Sequence, residues 1–204
     1  GTILSKYLGE YRGESGIQAG VLVSPPLSYP GHMRELQSRP VLSFVMAQPL
    51  KVWLWQKRTQ LAEHLPQWQL GRAMASSSLL ELAGTFLPFQ GYRDVEAYFR
   101  ENDPEPTLQH VQCPLLVLAA KDDPLVLPVP RDAIRRNRRI ILAETEGGGH
   151  LGWAGWSSLA LGATLVGPSW SDSVAARFLV FHALGPQPSS TAGKVAPPPP
   201  LARL

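Results

Sequence analysis

An acidic pair and a histidine are the residues of this chain whose types and spacing could do chemistry. Asp122 and Asp123 follow the apolar run Leu115-Leu116-Val117-Leu118-Ala119-Ala120 and Lys121, and stand just before Pro124. His150 closes the glycine run Gly147-Gly148-Gly149, shortly after a second apolar run, Ile140-Ile141-Leu142-Ala143. A carboxylate that accepts a hydrogen bond from a ring N–H fixes the imidazole tautomer and stabilises the imidazolium. The other ring nitrogen is then free to take a proton from a nucleophile. Three glycines ahead of the histidine suit a tight loop with unusual backbone angles. The spacing leaves two readings open: an acid–base pair, or a glycine turn carrying a solvent-facing histidine beside two turn aspartates.

The elements that must position these groups are legible as a pattern. Two short, unbroken apolar runs bounded by polar, Pro or Gly residues predict strands buried on both faces of a parallel sheet. The segment from Pro130 to Arg139 is long enough for the crossover helix between them. The acidic pair then sits at the carboxyl end of one strand and the histidine in the loop after the next, where open α/β sheets gather ligands and reacting residues. A third buried strand is predicted at Val21-Leu22-Val23-Ser24, after a helix from Gly1 to about Gly9. Pro25-Pro26 ends that strand and opens an insertion, 27–106, with no convincing strand. Helix-like apolar spacing runs there around Leu36–Leu54, Leu61–Leu82 and Val95–Phe99.

Several stretches resemble one family. Pro130-Arg131-Asp132-Ala133-Ile134 with Gly148-Gly149-His150-Leu151-Gly152-Trp153 resembles the α/β-hydrolase subfamily of YheT-like and plant embryogenesis-associated proteins. Ile3-Leu4 with Tyr7-Leu8-Gly9-Glu10 resembles the helix after the nucleophile in that family. Tyr92-Arg93-Asp94-Val95-Glu96-Ala97-Tyr98-Phe99 resembles the helix before the penultimate strand, and Pro168-Ser169-Trp170-Ser171-Asp172 the start of the final helix. The matches run in the family's order from Gly1 to about Leu184.

This resemblance implies an α/β fold: the C-terminal part of an α/β-hydrolase, a parallel sheet with flanking helices, in residues 1–184. It implies that 27–106 is a helical cap over the active site, in which Met46, Trp53, Trp55, Trp68 and Phe86 either line an acyl-chain pocket or pack the cap onto the body. The second half of the cap departs from the family, being mostly apolar at Leu79-Leu80-Glu81-Leu82-Ala83 where members carry acidic and aromatic residues. The implied activity is a serine hydrolase of carboxylic, often lipid-like, esters, with chain order Ser, Asp, His. Asp123, the residue before the proline, takes the acidic position and His150 the base. No cofactor or metal is implied.

The nucleophile in this family stands in G-x-S-x-G on a strand-to-helix elbow. Gly1-Thr2-Ile3-Leu4 matches residues at or just after the last glycine of that motif, which places the serine upstream of Gly1. Ser15, Ser157 and Ser169 each have a glycine two residues before them and none two after, so no complete elbow is present. These 204 residues alone are therefore expected to be inactive and poorly folded, with one sheet edge left open by the missing neighbour strand. The rival class is a non-catalytic hydrolase-fold protein that binds a lipid or a protein partner.

Composition narrows the remainder. With 44% apolar residues the chain can build a real core. A single cysteine, Cys113, excludes an internal disulfide and a cysteine-based zinc site and reads as a small buried hydrophobe. His32, His64, His110 and His182 show no metal-ligand spacing. Arg131, Arg135, Arg136, Arg138 and Arg139 crowd a short helix whose expected role is a solvated face. An anionic membrane surface is the alternative, and nucleic acid is disfavoured because no aromatic interleaving accompanies the arginines. No apolar run reaches the roughly 18 residues a membrane span needs. After Gly185 the Pro-, Ser- and Ala-rich tail to Leu204, with Pro197-Pro198-Pro199-Pro200, is expected to stay disordered. Compartment and oligomeric state leave no signature.

Overall fold

The computed structural model describes residues 1–64, 67–126, 128–153 and 169–185, without the side chains of 67–69 and 89. Contacts divide it into two units, residues 1–28 with 104 onward, and Tyr29–Asp103. The expected disordered tail lies outside the described residues.

The first unit is a three-stranded parallel sheet in the order β1 (Gly20–Val23), β2 (Leu115–Ala120), β3 (Ile140–Thr145). Register pairs Leu22 with Val117, and Leu115 with Ile140. Strand side chains alternate between faces, so Leu22, Leu115, Val117 and Ile140 share one side. They form a core with Leu8 of α1 (Thr2–Tyr11), Leu108 of the 3-10 helix Glu105–His110, and Ile134 of α8 (Arg131–Arg135). Leu116, Leu118 and Ala120 point to the other side and are also buried, on the sheet where α9 (Trp170–Leu184) contacts β1 and β2. Cys113 belongs to the first of these cores, and burial pushes its thiol above the ordinary range.

Central β2 is buried along its whole length, as its unbroken apolar run requires. The same expectation fails for β3, an edge strand among the described elements, with Ile141 52% exposed. Its apolar run buries one end and one partner-facing side only. The outer edge of β1 likewise has no strand partner among the described residues.

The crossover helix is shorter than Pro130–Arg139 suggests. Buried Asn137 ends it: its amide donates to the carbonyls of Leu108 and Val111, both at 2.9 Å, and its Oδ1 accepts from the Arg139 N–H at 3.0 Å. By accepting from the N–H two residues on, the Asn137 side chain offers the backbone a local turn in place of helical continuation. Only Arg131 and Arg135 of the arginine cluster therefore lie on a helix. Arg131 forks onto Glu144 (3.1 and 2.6 Å), and Arg135 pairs with Asp132 at 3.1 Å.

The second unit is helical. Its elements are α2 (Tyr29–Ser38), α3 (Pro40–Gln56), α4 (Arg58–Leu61), α5 (Gln67–Ala75), α6 (Leu79–Gly84) and α7 (Val95–Asn102). The apolar pattern of Leu61–Leu82 is broken into pieces at Ser76–Ser78, where Ser78 caps α6 by accepting from the Glu81 N–H at 3.1 Å. Asp94 caps α7 in the same manner, accepting from Ala97 N–H at 2.7 Å. Ala47, Leu54, Ala73 and Leu82 form this unit's core, with Leu61, Leu70 and Phe86 packed on it.

Candidate active site

Strand β2 ends at Ala120 and the chain turns at once, Asp123 N–H donating to the Ala120 carbonyl at 3.2 Å. That turn brings the Asp123 carboxylate inward, where the residue is 3% exposed. Its Oδ1 accepts from the N–H groups of Leu125 and Val126, at 2.8 and 3.0 Å. Two backbone donors hold the carboxylate plane, and Oδ2 is left to face the next loop. There it lies 3.0 Å from Nδ1 of His150. The imidazole is one-third exposed.

The loop that carries His150 is shaped by glycine. Gly148 sits at φ +152°, and a Cβ there would stand 2.3 Å from Nε1 of Trp153; Gly149 sits at φ +56° in open space. Trp153 pins the loop from below. Its buried indole donates to Thr145 Oγ1 at 2.9 Å, and the Trp153 backbone N–H donates to the Gly148 carbonyl at 3.2 Å.

Asp122 faces a different group from its neighbour. Its Oδ1 accepts from the Gly149 N–H at 2.8 Å, so it fastens the backbone of the histidine loop and leaves the ring to Asp123. Ser24, at the end of β1, supplies a second fastening that the sequence did not signal: its hydroxyl donates to the His150 carbonyl. Ser24 holds a positive φ of 44°, and its N–H is bonded to the Leu118 carbonyl at 2.9 Å. The two ends of this peptide contact lie 126 residues apart in the chain. Short-range spacing carries no trace of such a pair.

The other serines with an upstream glycine have local roles. Ser15 lies in a 3-10 turn, where its Oγ accepts from the Ile17 N–H at 3.4 Å. Ser169 caps α9 in a reciprocal box with Asp172. Ser157 lies outside the described residues. His182 packs against the rings of Phe178 and Phe181 on α9. Among the described residues, no group of three or more His, Cys, Asp or Glu is arranged to hold a metal.

The aromatic residues considered for an acyl pocket divide between two cavities within the second unit. Trp55 lines one of about 540 Å³ with Arg58, Leu61, Leu70 and Met74. Trp53 and Phe86 line one of about 240 Å³ with Leu50, Leu54 and Leu82. Met46 is absent from both walls. The side chain of Trp68 lies outside the described residues.

Comparison with known proteins gives relatives of low identity. A Saccharomyces cerevisiae protein named monoacylglycerol lipase is 25% identical over 190 residues, covering 89% of this chain and 40% of that protein. The embryogenesis-associated protein EMB8 of Picea glauca is 25% identical over 186 residues, 87% of this chain and 39% of its own. Monoacylglycerol lipase ABHD2 of Homo sapiens is 28% identical over 173 residues, 75% and 40% respectively. The chain thus spans about 40% of the length of these curated relatives. No protein-family model and no solved structure matches it. These relatives are α/β-hydrolases, and a parallel sheet flanked by helices is the architecture of that class.

Proposed function

We propose that this chain carries the acid and the base of a serine hydrolase acting on carboxylic esters of lipid-like molecules. Asp123 is the acid, His150 the base, and the nucleophilic serine comes from sequence outside these 204 residues. The observation that carries the reading is the 3.0 Å contact between Asp123 Oδ2 and His150 Nδ1, made by a buried carboxylate to a ring that is one-third exposed.

In that arrangement His150 Nδ1–H donates to Asp123, which fixes the tautomer with a lone pair on Nε2. Nε2 takes the proton of the serine hydroxyl as the oxygen attacks the ester carbonyl, and the imidazolium is stabilised by the Asp123 carboxylate. The same proton then passes to the departing alcohol, leaving an acyl-enzyme. Water repeats the sequence: Nε2 accepts its proton, hydroxide adds to the acyl carbon, and the serine leaves reprotonated.

The substrate class rests on two supports: relatives named monoacylglycerol lipase, and the largely apolar cavities of the second unit. It is tested by ester hydrolysis in a chain extended upstream through a G-x-S-x-G elbow. Activity should rise as the acyl group is lengthened from acetyl to octanoyl, since burial gains about 0.8 kcal/mol per methylene. A flat or falling series would remove the lipid-like substrate from the reading. The non-catalytic alternative, lipid binding without turnover, draws on the same cavities; it predicts no hydrolysis of any ester in that extended chain.

A further inference from the structure

The histidine loop is held from beneath as well as at its rim. The Gly148 carbonyl accepts from the N–H groups of Gly152 and Trp153, at 2.9 and 3.2 Å, so residues 148–153 close on themselves with His150 inside the turn. The buried indole of Trp153 folds under that turn. Its Nε1 stands where a Cβ on Gly148 would lie, so the ring takes the space that this glycine leaves. Trp153 itself holds φ +22°, a conformation that a residue other than glycine keeps only where its surroundings enforce it.

Thr145, the last residue of β3, sets where that ring sits. Its Oγ1 accepts from the same Nε1–H at 2.9 Å. The Thr145 hydroxyl in turn donates to the Ala119 carbonyl of β2 at 3.4 Å, and its carbonyl accepts from the Lys121 N–H at 2.9 Å. A buried indole N–H left without an acceptor is costly, so the ring follows its partner. A hydroxyl that is already donating is also the better acceptor, because chained hydrogen bonds polarise one another. One atom, Nε1, thus both bonds to Thr145 and abuts Gly148. A ring released from Thr145 would shift against the loop two residues before His150.

We propose that Thr145 is a positioning residue for the base: through the Trp153 indole, its hydroxyl holds the loop in the shape that brings His150 Nδ1 to Asp123 Oδ2. The inference rests on the acid–base reading of Asp123 and His150. Ser24 and Asp122 hold the backbone of the loop directly, whereas Thr145 acts on it from the third strand through an intervening ring.

The test compares Thr145→Val, which keeps the shape and removes the hydroxyl, with Thr145→Ser, which keeps the hydroxyl, in a chain extended upstream through the elbow. Two readouts are taken on variants that circular dichroism shows to be folded. One is kcat and KM for an octanoyl ester. The other is the low-field proton resonance of the His150 ring N–H bonded to Asp123, identified by its loss in Asp123→Ala. Thr145→Val should lower kcat roughly tenfold with KM little changed, and broaden the resonance through faster exchange with water. Thr145→Ser should match the parent chain in both. Trp153→Phe, which removes the donor, should repeat the Thr145→Val pattern, and the two together should lose no more than Trp153→Phe alone. If Thr145→Val fails to fold, Thr145→Cys takes its place against Thr145→Ser, since sulfur is a weak acceptor. The proposal is overturned by parent-like kcat and resonance in Thr145→Val, by a serine variant as impaired as the valine one, or by losses that multiply in the double variant. A parent chain that shows the resonance but hydrolyses no ester removes the serine-hydrolase reading alone, and the response of the resonance to Thr145→Val then decides the proposal. A parent chain without the resonance overturns it, there being no Asp123–His150 contact to position.

Discussion

The Ser24 hydroxyl donates to the backbone carbonyl of His150, tying the end of β1 to the loop that carries the imidazole. Together with Asp122 Oδ1 on the Gly149 N–H, 2.8 Å away, it fastens that loop at consecutive residues while Asp123 engages the ring. Three side chains from two strand ends thus fix one histidine.

Ser24→Ala should lower kcat in an upstream-extended chain by about tenfold with KM little changed, the loss of one hydrogen bond that orients the base. Ser24→Gly removes the same hydroxyl and relieves the positive φ of 44°. Urea unfolding should therefore find Gly less destabilising than Ala, by about 1 kcal/mol, while both lower kcat alike. Recovery of kcat in the Gly variant would show that the backbone angle matters and the hydroxyl does not.

Asp123→Asn should cut turnover by about 10⁴, because an amide presents the ring with the wrong partner. Asp122→Asn should cost little, since the amide oxygen still accepts from Gly149, and Asp122→Ala about tenfold through a loosened loop. Steady-state kinetics of the three variants give the ranking. Equal losses for the two Asn variants, or the reverse order, contradict the assignment.

The two glycines of the loop should differ in their tolerance to a methyl group. Gly149→Ala places a Cβ in open space and bears only the cost of φ +56°, about 1–2 kcal/mol. Gly148→Ala also drives the Cβ to 2.3 Å from the Trp153 indole and should cost more, with loss of the Trp153–Thr145 bond. Denaturant midpoints and the near-ultraviolet signal of Trp153 measure both effects.

Asp94 carries a pH dependence with a definite sign. The Ala97 backbone N–H, and after it the Arg93 side chain, hold its carboxyl below the ordinary 3.8. A depressed folded value means that the cap's contribution is present above about 3.8, the unfolded value, and fades as pH falls through the lower folded one. The stability gap between the parent chain and Asp94→Ala, followed by urea unfolding, should therefore be full near neutrality and shrink below pH ~4. A gap that stays constant to lower pH would show that charge plays no part in this cap.

Much of this was legible from runs and spacing. The unbroken apolar run of β2 marked a strand buried on both faces, and the acidic pair was legible at its carboxyl end. The stretch Pro168-Ser169-Trp170-Ser171-Asp172, which resembles the start of a final helix, coincides with the start of α9 at Trp170. Other features depend on contacts made far along the chain. Ile140–Ala143 looks as apolar as β2, yet its exposure depends on edge position, which no local pattern encodes. Asn137, just after the crossover helix, is anchored on the carbonyls of Leu108 and Val111, and Ser24 meets His150 across 126 residues. The arginines of 131–139 looked like one helical face because the helix was taken through its buried stop.

The central claim, that Asp123 and His150 activate a serine supplied from outside these residues, is tested most directly by labelling with a fluorophosphonate probe. The 204-residue chain and a chain extended upstream through the elbow are compared, each with and without His150→Ala. The account predicts labelling of the extended chain at its elbow serine, lost with His150→Ala, and none of the shorter chain. Labelling of the shorter chain at a serine in a His150-dependent way, or labelling of the extended chain unaffected by His150→Ala, would contradict it.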